Sequence, residues 1–310
     1  MKTLLFLYNP CAGKGKIADS LGAICAAFQA QDYLVTVYAT KGPGDAAQVT
    51  RALASHYDRM VCSGGDGTLS EVISGLVASE GAMPPLGYIP SGTTNDYARS
   101  LKIPTRPVEA AALAASGPAL PVDVGQLNTR NFIYVAAFGA FTSVSYATPQ
   151  GYKSLLGHAA YVLAGIHSLS EITSYEMKVS YDGGTEEGKF LYGMVSNSTS
   201  VGGFKGLMGD NVQLDDGIFE VLLIRKPDSM RQMAAILEAL ANRKPHSHVW
   251  MFQTHRVTFT SVESVPWTTD GEFGGNHSYT EITLLRQAVP IICGLAREEQ
   301  KDDAQEEVSV

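Results

Sequence analysis

An α/β domain followed by a β-rich domain is the fold class predicted by this sequence of 310 residues, a length that suits two domains. Two observations predict it. In the first third, short apolar runs that end in turn residues alternate with segments whose apolar residues recur at helical spacing, as in parallel βαβ units. After Asp123 the texture changes to strand-like runs joined by Gly, Asp and Asn turns, an antiparallel pattern.

Taken in order, residues 4–8 (LLFLY) read as a first strand, and a helix over 17–30 buries Leu21, Ile24, Cys25 and Phe28 on one face. A second strand over 34–40 precedes a helix over 44–57. The third strand, 59–64, runs through a Gly-rich turn into a helix with Leu69, Val72, Ile73 and Leu76 on its apolar face, and 85–92 is a fourth strand. Beyond the change of texture near 121–125, strands are predicted over 132–139, 175–183, 190–198, 219–226 and 255–262, with helices over 152–169 and 228–243. The helix over 152–169 carries Leu155, Leu156, Ala159, Val162, Leu163, Ile166 and Leu169 on one side, which serves for packing, as the wall of an acceptor channel or as a membrane-touching edge. No run is apolar enough to span a membrane, and the short run after Lys2 reads as a buried strand rather than a signal peptide.

The net charge is −8, and residues 297–310 hold two bases and six acids, so 2 − 6 = −4 of it sits in a tail that reads as disordered. An acidic body argues against nucleic-acid binding and against strong electrostatic docking on anionic lipid. The four cysteines have no metal or disulfide spacing and read as free thiols in a reducing, cytoplasmic compartment. Of these, Cys11 is a candidate for redox sensitivity because of its place in a phosphate loop. His246, His248 and His255 lack the spacing of a metal site.

Three loops carry the chemistry. Asn9, Pro10, Cys11, Ala12, Gly13, Lys14 and Gly15 lie where a strand meets a helix, a place where backbone amides can approach an anion. The run from Gly13 also fits a dinucleotide fingerprint, but no acid ends the second strand to hold a ribose, and no GxxxxGK[ST] phosphate loop occurs. Gly64, Gly65, Asp66, Gly67 and Thr68 repeat the arrangement. Three glycines around one acid suit a backbone wrapped closely on phosphates, with Thr68 placed to cap the helix and Asp66 facing a bridging cation or water. The third loop, with Ser91, Gly92, Thr93, Thr94, Asn95 and Asp96, ends the fourth strand. All three stand at carboxyl ends of parallel strands and should converge on one crevice.

These three segments resemble the nucleotide-site motifs of the diacylglycerol kinase catalytic family, whose bacterial lipid kinase branch is the most similar and which is related to sphingosine kinases and NAD kinases. The likeness continues through residues 122–127, 151–166, 213–221 and 269–275, covering nearly everything except the acidic tail. It implies a doubly wound α/β nucleotide-binding domain over 1–123, a β-sandwich domain over 124–287 and a strand over 288–296 returning to the first domain. It also implies roles for particular residues. Glu272 of the Asp-Gly-Glu segment would be the general base, and Asp66 and Asp96 would organise a magnesium-linked network. Asn9, Pro10, Cys11, Ala12, Gly13, Lys14, Thr40, Gly64, Gly65, Gly67, Thr68, Ser70 and Thr93 would bind ATP. Asp216, with the carbonyls of Gln213 and Ile218, would hold a structural Mg²⁺. Ser70 departs from the Asn the family often has there, and Ile218 is smaller than the usual residue.

Phosphoryl transfer needs positioning and charge neutralisation more than covalent chemistry, and a carboxylate that takes the acceptor's proton completes the set. Asp270-Gly271 is also a common hairpin turn, and a turn can present a base. The expected partner is a lipid acceptor reached by peripheral contact with the inner face of the membrane, to which Lys153, Phe204 and Lys205 could contribute. No nucleic acid is expected, and a homodimer is left open. The alternatives are a kinase for a soluble acceptor such as NAD, a catalytically silent nucleotide-binding regulator, and a dehydrogenase.

Overall fold

A computed structural model describes residues 1–140, 173–197, 200–201, 204–205, 214–242 and 244–294, apart from Lys14 and Thr94. The helix expected over 152–169 with Lys153, the acidic tail, Lys14, Gln213 and the side chains of Phe204 and Lys205 lie outside the described residues.

Strands β1 (Lys2–Tyr8), β2 (Tyr33–Ala39), β3 (Arg59–Gly64) and β4 (Leu86–Pro90) are parallel, in the spatial order β4-β3-β1-β2. Helices α1 (Leu21–Gln29), α2 (Asp45–Leu53) and α3 (Asp66–Val77) connect them, followed by α4 (Asp96–Ser100) and α5 (Pro107–Ser116). Helix α1 packs beside α5 and α2 beside α3, so both faces of the sheet are covered. That is why Leu4, Leu5, Phe6 and Leu7 form an unbroken apolar run, all fully buried, rather than an alternating one. Phe28 of α1 meets Phe6 edge-on in this core; burying such a ring stabilises by about 1.5–3 kcal/mol. The expected first helix begins as a 3₁₀ turn over Lys16–Ser20, and the second ends at Leu53. Helices α4 and α5 were not anticipated.

The β-rich half comprises β5 (Ala119–Leu127), β6 (Arg130–Phe132), β7 (Val135–Gly139), β8 (Tyr175–Tyr181), β9 (Gly184–Ser196), β10 (Ser200–Val201), β11 (Phe204–Lys205) and β12 (Phe219–Arg225). Helix α6 (Met230–Ala241), β13 (Val249–Thr254), β14 (Arg256–Thr269) and β15 (Glu272–Ile292) complete it. Strands β9 and β14 are long enough to pair with β8 near one end and β7 near the other. The sheet thereby folds around a second core of Phe132, Phe138, Phe190, Phe219, Phe259 and Trp267. Ser229 caps α6 by accepting the Gln232 N–H, while the Gln232 side chain takes the Asp228 N–H at 2.6 Å.

The single strand expected over 132–139 is in fact two. The N–H groups of Ile133, Tyr134 and Val135 turn away from any ladder and donate to the Asp270 carboxylate, which breaks the strand between β6 and β7. Strand β15 pairs antiparallel with β14 and β5, and its Ile291 lies parallel to Leu86 of β4. The expected division at Asp123 falls inside β5.

Candidate active site

The three glycine-containing loops are bound to one another by their backbones. Asn9 N–H donates to Ser63 O at 2.8 Å, and Ser91 N–H and Gly92 N–H both donate to Gly64 O, at 2.9 and 3.1 Å. Gly13 adopts φ 60°, and a β-carbon there would stand 2.3 Å from Ser91 O, so only glycine lets the first loop lie against the third. Asn9 Oδ1 accepts the Cys11 N–H at 2.9 Å, while its Nδ2 donates to Thr68 Oγ1 at 3.1 Å. Thr68 therefore does not cap α3 as expected. Gly65 holds the cap position without a side-chain bond, and Thr68 sits within the first turn, tying α3 to the first loop. Pro10, Cys11, Gly13 and Thr93 are exposed along this rim and Ala12 is half-buried. Thr40 N–H donates to Tyr8 O at 2.9 Å, bringing the end of β2 to the same edge.

Asp66 opens α3, and its carboxylate accepts the N–H groups of Asp96 at 3.1 Å and Tyr97 at 3.4 Å. It thus serves the first turn of α4, where free amides would otherwise lack partners. Burial pushes its carboxyl up to about 6, with the neighbouring Asp96 adding to the rise. Asp96 is raised by burial too, opposed by Arg99, whose Nη1 lies 3.5 Å from its Oδ1. Two acids share this corner with one guanidinium, a surplus of negative charge that a cation would relieve.

From the other half of the molecule, the turn between β14 and β15 enters the same crevice. Asp270 and Gly271 have φ of 51° and 82°, as a two-residue type I′ hairpin requires, and Thr269 pairs with Glu272 across it. The hairpin and the presented carboxylate are thus one structure. A β-carbon on Gly67 would lie 3.1 Å from Glu272 Oε1, so Glu272 stands against the first turn of α3, one residue from Asp66. Asp270, read from the sequence only as a turn residue, fixes this arrangement. Its buried carboxylate accepts from Ile133 N–H at 2.8 Å, Tyr134 N–H at 3.0 Å, Val135 N–H at 3.3 Å and, across the two halves, Ser70 Oγ–H at 2.9 Å. Burial raises its carboxyl to about 6 while these donors pull the other way.

The Asp216 turn hangs on a second buried acid that sequence reasoning missed. Asp123 accepts the N–H of Gly217 on Oδ2 and of Gln287 on Oδ1, both at 2.6 Å, and its own N–H donates to Leu214 O at 2.7 Å. Asp216 Oδ1 accepts the Ile218 N–H at 3.0 Å. Burial raises the Asp216 carboxyl, with Asp123 and Asp215 adding to the effect. Among the described residues no group of three His, Cys, Asp or Glu side chains could hold a metal, so a cation at this turn would need backbone carbonyls as well. A periodic reading could not single out Asp123 or Asp270, since each reads as an ordinary strand or turn residue. His255 pairs with Asp182 at 2.9 Å on the surface.

The family model described as the diacylglycerol kinase catalytic domain matches residues 3–127, and one described as the YegS C-terminal NAD kinase beta sandwich-like domain matches 136–293. A diacylglycerol kinase of Bacillus subtilis (strain 168) is 32% identical over 306 residues, covering 98% of this chain and 100% of that protein. One of Staphylococcus carnosus (strain TM300) is 34% identical over 278 residues, covering 88% and 90%. A crystal structure of a diacylglycerol kinase from Bacillus anthracis str. Sterne superposes with a TM-score of 0.73 at 26% identity, covering 94% of this chain and 97% of that one. A further structure from the same organism gives 0.80 at 26% identity, covering 94% and 95%.

Proposed function

The chain belongs to the diacylglycerol kinase family and is a lipid kinase, and from that premise we propose that it transfers the γ-phosphoryl group of ATP to a hydroxyl of a diacylglycerol-like acceptor with Glu272 as general base. The observation that most supports this reading is the approach of Glu272 Oε1 to Gly67, at the start of the helix that follows the second glycine loop. An acceptor hydroxyl there can give its proton to the carboxylate while its oxygen faces the loops.

In this reading residues 9–13, Gly64 to Gly67 and Thr93 line the triphosphate site, with Lys14, Thr40, Thr68 and Ser70 completing the set. Asp66 and Asp96 would hold Mg²⁺, which neutralises phosphate charge when bound. Asp216, with the carbonyls of Gln213 and Ile218, would hold a second, structural ion. The residues of 1–123 would form the nucleotide half, joined by residues 288–296, and those of 124–287 the acceptor half. No helix among the described residues is long and apolar enough to cross a membrane, and we take the enzyme to meet its lipid by peripheral contact at the inner face of the membrane.

The test is incubation with radiolabelled ATP and either a total lipid extract or NAD. Label in a phosphorylated lipid supports the proposal. Label in phosphorylated NAD alone overturns it.

A further inference from the structure

Tyr134 carries a hydroxyl for which the roles above have no use. Its backbone is fixed on both sides: its N–H donates to Asp270 Oδ1 at 3.0 Å, and its carbonyl accepts from Asn197 N–H at 3.2 Å and Ser196 Oγ–H at 3.0 Å. The residue is 7% exposed. Its hydroxyl oxygen lies 3.9 Å from where a β-carbon on Gly271 would stand, in the turn that presents Glu272. The hydroxyl makes no hydrogen bond to a described residue, whereas the Tyr88 hydroxyl donates to Gly64 O at 3.0 Å.

The ring is buried but its hydroxyl oxygen keeps access to solvent, so beside the turn that presents Glu272 it is a donor open to a ligand. Burial, with Asp270, Asp66, Asp96 and Tyr88 nearby, holds this phenol well above 10, and it keeps its proton throughout the working pH range. The Gly271 turn beside the hydroxyl carries Glu272, whose carboxylate stands against Gly67 on the expected donor side, so the hydroxyl lies near the seam between the two halves. A neutral donor at that point, facing acids that do not accept from it, suits an incoming group rich in acceptor oxygens.

We propose that Tyr134 is a further catalytic residue, donating a hydrogen bond to a non-bridging oxygen of the phosphoryl group in transfer. The bond from phosphorus to the ADP oxygen breaks as the bond to the acceptor oxygen forms. The acceptor's proton passes to Glu272, and Tyr134 neither gains nor loses a bond. The inference rests on the kinase reading above.

Tyr134→Phe keeps the ring and removes only the donor. The expected result is a fall in kcat of at least about tenfold, with KM for ATP and the melting temperature unchanged. The affinity for ADP with Mg²⁺ and aluminium fluoride, a mimic of the planar phosphoryl group, should fall about tenfold while the affinity for ADP alone holds. An unchanged kcat, or a loss shared equally by ADP alone, overturns the role. Glu272→Gln measured in parallel separates the two readings. If Glu272→Gln is inactive while Tyr134→Phe turns over normally, the tyrosine inference alone fails; if both variants turn over normally, the base assignment fails as well.

Discussion

Glu272 of one half stands against Gly67 of the other: a β-carbon on Gly67 would lie 3.1 Å from the Glu272 carboxylate, closer than an ordinary contact. The approach is held from behind by the bond from Ser70 Oγ to Asp270, which joins α3 to the hairpin that carries Glu272.

Gly67→Ala therefore perturbs chemistry rather than folding. The new methyl meets the flexible end of a glutamate, and alanine is the better helix former by up to about 1 kcal/mol. The melting temperature should stay level or rise while kcat falls at least about tenfold. Unchanged turnover would mean that Glu272 does not need this position.

Asp270→Asn turns an acceptor for four donors into a group with an NH₂ facing them. Leaving buried donors unpaired costs about 1–3 kcal/mol, and urea unfolding should register a loss in that range. A neutral result would show that the clamp does not hold the hairpin.

Much of the fold was legible because its physics is local. Strands β1 to β4 announce themselves as apolar runs ending in glycine loops, and the helices between them by their spacing. The β-rich half was read in outline only. Strand β15 runs for 21 residues through a bulge at Gln287, φ 49°, so no simple alternation marks it. The break between β6 and β7 depends on a carboxylate more than 130 residues away. The glycine loops and the Asp-Gly-Glu hairpin could be found by residue type, whereas Asp270 and Asp123 act through backbone amides brought to them by the fold. Thr68 has the composition of a cap, yet Asn9 claims its oxygen.

Gly13→Ala places a β-carbon 2.3 Å from a backbone carbonyl in a positive-φ conformation. Both faults push the first loop off the third, and ATP affinity should fall at least about tenfold. Equilibrium binding of a non-hydrolysable ATP analogue checks this, and unaltered affinity would remove the first loop from the nucleotide site.

Glu220 is 2% exposed, with Gln253 Nε2 3.3 Å from Oε1 and no partner among the described residues for Oε2. Burial, with Asp216 nearby, pushes its carboxyl up to about 7 from an ordinary 4.5. Because the folded value is raised, its favourable contribution is complete below about 4.5 and is lost as pH rises through about 7. Glu220→Gln should accordingly gain about 1–3 kcal/mol at pH 8 and little at pH 4.5, measured by chemical denaturation in the presence of a chelator. An equal gain at both pH values would contradict the buried-charge account.

The most direct measurement is single-turnover phosphorylation of diacylglycerol in mixed micelles by Glu272→Gln, alongside equilibrium binding of ATP. The account predicts a rate at least about 10²-fold lower with ATP affinity nearly intact. A rate equal to that of the unaltered enzyme would contradict it.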